Sequence, residues 1–425
     1  MTKIDAIWDH SYRDDCIPNF SNNMENPRHR WYDFKEGFSS SLVDRAIKET
    51  RKNSNIADFT VLDPFSGSGT SPLSALQNNC NAVGFEINPF MSFVGKTKCT
   101  KLDGSVNDYR KELELILSQQ PTEIDSPLEG YSTFTSSDDN TDKWLFNKEV
   151  IRAYEALYFY ISKVENKDFF ELALISAVMQ CCNAKKDGKC LRYLKDWKNL
   201  NYNADSLRTC FKGRALSMIT DLEANPLTEK ERLIKQGDTR ALLKQTENNS
   251  VDLVIFSPPY LNSFDYSDIY RPELFLGKFV SDNDELMKIR KQTLRSHVQC
   301  KWETMEKSDS VWVKDLVGKL EKRKDKLWNN SIPQMVSSYF YDMEIVLKEC
   351  HRIANNDAQL WFVVSTSAYG GIEIPVDLIL ADIATKQGWE LASVNALRKL
   401  RTSSQCIDDN MQRVKLRESL IICRK

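Results

Sequence analysis

Apolar positions along this chain fall into short unbroken runs separated by stretches with helical spacing. Phe59 to Asp63, Ala82 to Glu86, Val251 to Phe256 and Gln359 to Val364 are too short for helices and too continuous for half-exposed strands. Such runs predict strands buried on both faces of a parallel sheet. Ile234 to Asp238 predicts a shorter strand, and Trp389 to Val394 and Ser419 to Cys423 predict the last two. Thr70 to Asn79 places Leu73, Ala75 and Leu76 on the inner face of a helix, and Asp377 to Gln387 is amphipathic. Residues 59–86 therefore read as strand, glycine turn, helix, strand, a βαβ unit with a right-handed crossover. The whole predicts an α/β fold, an open sheet of about seven strands with intervening helices.

Two stretches break this rhythm. Residues 101–231 carry helical patterns, such as Asn147 to Lys163 and Phe169 to Cys182. Residues 277–334 are polar and charge-rich, with Trp302, Trp312 and Trp328 among them. Both are expected as insertions on loops of the sheet, and loops at the carboxyl edge of such sheets carry function. The expected division assigns residues 1–100, 232–276 and 335–425 to the sheet domain. Residues 101–231 form a helical insertion and 277–334 a second, polar one. Ser39-Ser40-Ser41 suits a helix N-terminus better than a linker.

Composition narrows the picture a little. A hydrophobic fraction of 41% suffices for a sizeable core. No apolar run reaches the roughly 18 residues of a membrane span, and Met1 to Asp5 lacks the apolar run of a signal peptide. The eleven cysteines are scattered without C-x-x-C spacing, so reduced thiols in a cytosolic protein are expected. The four histidines, His10, His29, His297 and His351, are far apart, and no histidine metal site is expected. A net charge of −2 neither supports nor excludes nucleic acid, because local charge decides that. Local basic clusters occur at Lys185, Lys186, Lys189 and Arg192, at Lys319, Lys322, Arg323, Lys324 and Lys326, and at Arg398, Lys399 and Arg401. The plain reading of each is a solvated helix face, which Glu321 and Asp325 strengthen for the middle one.

Two segments carry candidate chemistry. Asp63-Pro64-Phe65-Ser66-Gly67-Ser68-Gly69-Thr70 follows the first strand. Gly67 and Gly69 let backbone approach a ligand, because no Cβ intrudes. Asp63 can hold nearby N–H groups or face a cation, and Phe65 can pack against a ligand edge. Glu86 stands where nucleotide-binding sheets place a ribose-binding acid. Alone, G-x-G is common in ordinary turns. Pro72 breaks the dinucleotide pattern, and no P-loop is present. Together with Gly84-Phe85-Glu86-Ile87-Asn88-Pro89, this segment resembles the cofactor motifs of the S-adenosylmethionine-dependent DNA amino-methyltransferases. The resemblance implies a Rossmann-like class I methyltransferase sheet, S-adenosylmethionine as cofactor, and a cofactor site built from Asp63, Phe65, Gly67, Gly69, Thr70 and Glu86. Gly237-Asp238 resembles the next motif, whose acid approaches adenine. Trp31 to Asp44, with Phe38, resembles the segment beside the methionine end.

Ser257-Pro258-Pro259-Tyr260 follows the most apolar strand and resembles that family's catalytic motif, Asp/Asn/Ser-Pro-Pro-Tyr/Phe. An exocyclic amino nitrogen is a poor nucleophile while its lone pair is shared with the ring. The Ser257 hydroxyl and Pro258 carbonyl can accept its N–H bonds and free that pair. Two prolines hold these acceptors in place beforehand, and Tyr260 offers a face for a flipped base. Phe264, Tyr266, Tyr270 and Arg271 either complete a base pocket or simply pack a helix that begins near Asp265. Serine in first position resembles N4-cytosine enzymes more than N6-adenine enzymes, and both stay open. No cysteine follows a proline, which disfavours attack at cytosine C5.

By resemblance the partner is double-stranded DNA with a specific target site, and the host is bacterial, archaeal or phage. The simplest role is the modification half of a restriction–modification pair, its endonuclease encoded separately. An RNA base N-methyltransferase shares the chemistry, and a non-catalytic methyltransferase-like subunit would show degraded motifs, which are intact here. Residues 277–334 are the favoured target-recognition region, with the helical insertion clamping the duplex. Trp312 or Trp328 can wedge into the gap left by a flipped base, but core packing is expected of them.

Overall fold

A computed structural model describes residues 5–7, 20–52, 58–102, 104–119, 124–136, 142–188, 190–302, 306–400 and 414–425. Its centre is a seven-stranded sheet. In chain order the strands are β1 (Thr60–Asp63), β2 (Asn81–Glu86), β3 (Arg232–Gln236), β4 (Val251–Phe256), β5 (Ala354–Ser365), β6 (Glu390–Lys399) and β7 (Arg417–Arg424). Their spatial order is β3-β2-β1-β4-β5-β7-β6. The first five are parallel, and β7 runs antiparallel between β5 and β6. This is the open Rossmann-like sheet expected of class I methyltransferases. Ile7 adds a parallel bridge to Asn395 at the β6 edge.

The helices are α1 (Ser40–Arg51), α2 (Thr70–Gln77), α3 (Pro89–Cys99), α4 (Val106–Ser118), α5 (Lys148–Ile161), α6 (Lys167–Val178), α7 (Ala204–Ala224), α8 (Thr239–Lys244), α9 (Tyr266–Ile269), α10 (Arg271–Leu276), α11 (Asn283–Gln292), α12 (Val311–Glu321), α13 (Ile332–Ile353) and α14 (Val376–Lys386). Ser39 caps α1 by accepting the Ser41 N–H. Asn88 caps α3, whose first residue is Pro89.

Alternation along the strands divides the core. Val61, Leu253, Ile255, Trp361 and Val363 pack with Leu42, Val43, Leu73 and Leu76 of α1 and α2. Leu62, Val254, Phe256, Leu360 and Phe362 point to the other face, against Met343, Val346 and Leu347 of α13 and Leu380 of α14. Strands buried on both sides are why these runs are apolar without interruption. A buried Asp377–Arg417 pair, joined by the Ser419 hydroxyl, pins β7 to α14.

Helices α4 to α7 form a separate core that also takes in Trp31, Tyr32, Phe264, Tyr270, Leu274 and Phe275. Asp221 on α7 accepts hydrogen bonds from the Trp31 indole, the Arg28 main chain and the Arg30 guanidinium. The segment before α1 is thereby fixed against the helical insertion.

Two sequence expectations need correcting. Trp312 and Trp328 do not pack in the core; they are 54% and 50% exposed. Helix α12 buries Val313, Leu316 and Leu320, and Trp312 falls off that stripe. Nor are all three basic clusters helix faces. Lys185, Lys186 and Arg192 sit on a hairpin formed by Ala184–Asp187 and Cys190–Tyr193, and Arg398 and Lys399 sit on β6. Lys189 and Arg401 lie outside the described residues.

Candidate active site

At the centre of the sheet the chain leaves β1 towards β2 and leaves β4 towards β5, in opposite directions. This makes the crevice between their carboxyl ends the topological switch point, where ligands bind in such sheets. Asp63 ends β1 and Ser257 follows β4, so the two motifs meet there. A cavity with about 1120 Å³ of empty space, its mouth included, opens at this point. Asp63, Phe65, Gly67, Thr70 and Glu86 line one side, Gly237, Asp238 and Thr239 a second, and Ser257, Pro258 and Pro259 a third. Phe34, Glu36 and Phe38 close it from the segment before α1, and Tyr266, Tyr270, Thr293 and His297 from beyond the catalytic loop. Gly69 and Tyr260 are absent from this lining.

The first turn is tight because two glycines adopt positive φ, +49° at Gly67 and +82° at Gly69. The glycines serve different ends. A Cβ on Gly67 would come within 2.7 Å of the Phe34 ring on the cavity wall. A Cβ on Gly69 would come within 2.7 Å of Gly95 Cα, so Gly69 lets α2 pack onto α3. Both acids bind backbone. Asp63 accepts the Phe65 N–H at 2.9 Å and the Ser71 hydroxyl at 2.5 Å. Glu86 accepts the Gly67 and Asn88 N–H groups at 2.9 and 2.8 Å. A carboxylate has about four acceptor sites, and the Ile87 N–H adds a third bond, so Glu86 keeps about one for a ligand. Burial pushes both carboxyls up to about 7, with those hydrogen bonds holding them lower than burial alone would.

The second wall is set by ion pairs. Arg240 forks onto Asp238 at 2.8–3.1 Å and reaches Asp342 at 2.8 Å. Asp342 in turn holds Arg295 at 2.7 Å. Beside Asp238, the Thr239 hydroxyl is buried without a hydrogen-bond partner.

The Ser257–Tyr260 loop is braced from behind. The Tyr260 hydroxyl donates to Glu418 on β7 at 2.5 Å, and Arg398 on β6 donates to the same carboxylate at 2.6 Å. Burial and the Glu418 charge hold the Tyr260 phenol well above its ordinary range. The next carbonyl, that of Leu261, accepts from the hydroxyls of Ser367 and Tyr369. Those residues form a short hairpin, Ser367–Tyr369 with Ile372–Ile374, just past β5.

No protein-family model matches the chain. Similarity to individual proteins runs nearly its whole length. The type II methyltransferase M.AvaI of Nostoc sp. is 28% identical, over 96% of this chain and 89% of its own. M.BsoBI of Geobacillus stearothermophilus, also a type II methyltransferase, is 26% identical over 96% and 88%. M.MvaI of Kocuria varians is 23% identical over 76% and 74%. This chain is an S-adenosylmethionine-dependent methyltransferase related to these type II enzymes. Among solved structures, the rRNA methyltransferase aviRa of Streptomyces viridochromogenes aligns over 91% of the chain and 85% of its own at 10% identity. Its TM-score of 0.28 is too low to bear on fold or substrate.

The cavity of the methyltransferase suits that cofactor. Its lining holds four carboxyl side chains, Glu36, Asp63, Glu86 and Asp238, and no lysine or arginine among the described residues. Asp238 is offset by Arg240, but a ligand with sulfonium and ammonium charges would draw the raised Asp63 and Glu86 carboxyls into their ionised forms. Phe65 and Ile87 add apolar surface.

Sequence reasoning missed several residues of the site. Glu36 lines the cavity and accepts a short hydrogen bond from Tyr270. Lys186 bonds both Glu273 and the Tyr32 hydroxyl at 2.6 Å and lies 3.8 Å from the Tyr270 ring centroid. Glu418, Ser367 and Tyr369 brace the loop from strands made much later. Glu36 falls inside the Trp31 to Asp44 stretch, where only Phe38 was singled out, and the others lie in no recognisable motif. For the others the one available signal was Glu418, an acid just ahead of the apolar run Leu420 to Cys423 in the final strand.

Proposed function

We propose that the chain is a site-specific DNA methyltransferase acting on the N4 amino group of cytosine, as the modification enzyme of a restriction–modification system. The observation that supports this reading most is the meeting of Ser257 and Pro258 with Asp63, Gly67 and Glu86 in one cavity at the switch point. The cofactor supplies an activated methyl group when bound. Asp63, Glu86 and Asp238 orient it, with Phe38 at the methionine end and Phe65 along its edge. The target base leaves the duplex, since its amino group is out of reach inside the stack. Tyr260, half-buried and tethered by Glu418 just outside the cavity lining, gives it a stacking face. The Ser257 hydroxyl oxygen and the Pro258 carbonyl accept its two N–H bonds and turn the nitrogen lone pair out of the ring. Positioning of this kind commonly lowers a barrier by up to about 7–11 kcal/mol. Residues 277–334 read the target and 101–231 clamp the duplex. Cytosine is preferred to adenine because serine holds the first motif position.

The test is transfer of a tritiated methyl group to unmodified DNA and, separately, to RNA, followed by mass spectrometry of the released nucleosides. Labelled N4-methylcytosine from DNA is expected. N6-methyladenine would overturn the base assignment, and label in RNA alone would overturn DNA as substrate.

A further inference from the structure

Within the polar insertion proposed to read the target, one aromatic, cationic face stands beside the Ser257–Tyr260 loop. Of eight exposed large hydrophobic residues among those described, three lie in segment 311–328: Val311 (67%), Trp312 (54%) and Trp328 (50%). The same segment carries six lysines and arginines against three acids. Trp312, Lys319 and Lys322 fall two and three helical turns apart, off the buried stripe of Val313, Leu316 and Leu320. Lys324 and Lys326 are exposed just after, before Trp328. The face has a fixed relation to the active site. Arg323 donates to the Gly370 carbonyl at 3.1 Å, and Leu327 packs beneath Gly370. Gly370 is the turn of the hairpin whose Ser367 and Tyr369 hold the Leu261 carbonyl, one residue past Tyr260.

We infer that the outer face of α12 with segment 322–328 is a docking surface for double-stranded DNA flanking the target base. The inference rests on the proposed reading of the substrate as DNA. Exposed indoles among lysines are poorly suited to the middle of a protein interface, where lysine is depleted. They suit a polyanion whose phosphates need cations and whose sugars and groove edges offer apolar surface to aromatic side chains. Continuity with the loop places this contact next to the base being methylated.

The experiment uses the full chain and three proteins: wild type, Lys319→Glu/Lys322→Glu and Trp328→Ala. All three substituted side chains are exposed, so folding is preserved, and cofactor affinity by calorimetry is expected to stay within about twofold of wild type. Binding of a 30-base-pair duplex of mixed sequence is followed by fluorescence anisotropy over a sodium chloride series. The double variant is expected to bind about tenfold more weakly or worse near 150 mM salt, with a log–log salt slope shallower by about 2. Trp328→Ala is expected to lower methyl incorporation into unmodified genomic DNA about tenfold. Unchanged duplex affinity, slope and incorporation in the variants, with wild type active on DNA, would overturn the surface and leave the proposed function standing. A wild-type dimer in sedimentation that the substitutions dissociate, with DNA binding intact, would also overturn it by assigning the face to a second copy. A wild-type protein inert towards DNA would sink the proposed function and this inference together.

Discussion

Asp63→Asn separates the charge of the β1 acid from its hydrogen bonds. An asparagine Oδ1 can still accept the Phe65 N–H, and its Nδ2 can donate to a rotated Ser71 hydroxyl, so the turn keeps its shape. What disappears is a carboxyl that burial pushes from 3.8 up to about 7. Between those values the unfolded chain gives up its proton while the native protein keeps it. Wild-type stability therefore falls as pH rises from about 4 to 7, by at most about 4 kcal/mol for this group, since one pKa unit is worth 1.36 kcal/mol. The asparagine variant escapes that loss but gives up the charge assistance in its two bonds, a difference of about 1 kcal/mol each. Without cofactor it is thus expected to be about 1–3 kcal/mol more stable than wild type at pH 8.5, and no more stable, or slightly less, at pH 4. Urea denaturation of both proteins at the two pH values measures this directly. With S-adenosylmethionine present the order at pH 8.5 should reverse, because a cationic ligand favours the carboxylate. An identical stability difference at pH 4 and pH 8.5 would mean that this carboxyl titrates as it does in water, and the argument from burial would fail.

Other outcomes follow from the same geometry. Gly69→Ala forces a Cβ onto Gly95 at positive φ and should cost about 2–4 kcal/mol in urea denaturation; a wild-type midpoint would show that α2 and α3 can part cheaply. Ser257→Ala should lower turnover about 100-fold or more while calorimetric cofactor affinity holds, since it removes one preorganised acceptor; undiminished turnover would remove Ser257 from the reaction. Buried Lys98, pushed down to about 7, should oppose folding most below that pH and least above about 10. Lys98→Met should therefore stabilise the protein by about 2–4 kcal/mol at pH 6.5, with the gain vanishing by pH 10; a pH-independent gain would point to packing instead.

The sheet was legible because its strands are buried on both faces and so appear as unbroken apolar runs. The two motifs were legible because their chemistry is local, a turn in one case and a rigid loop in the other. Gly69 shows the limit of that reasoning. Its neighbour Gly67 faces the cavity, yet sequence cannot say which glycine of a pair meets a ligand and which meets a helix. Glu418 shows another limit, standing 158 residues from the tyrosine it holds. Trp312 is different. Its exposure could have been read from the spacing of Val313, Leu316 and Leu320, and hydrophobicity alone misled.

The position of β7 has a consequence for synthesis. This strand, the latest of the seven to leave the ribosome, is an interior one. A nascent chain that has not reached Arg417 leaves β5 and β6 with raw edges and the Tyr260 phenol with no Glu418 acceptor. Until that strand inserts, the turn after β1 can form while the Ser257–Tyr260 loop lacks its brace, so the last strand to be made is the one that tightens it.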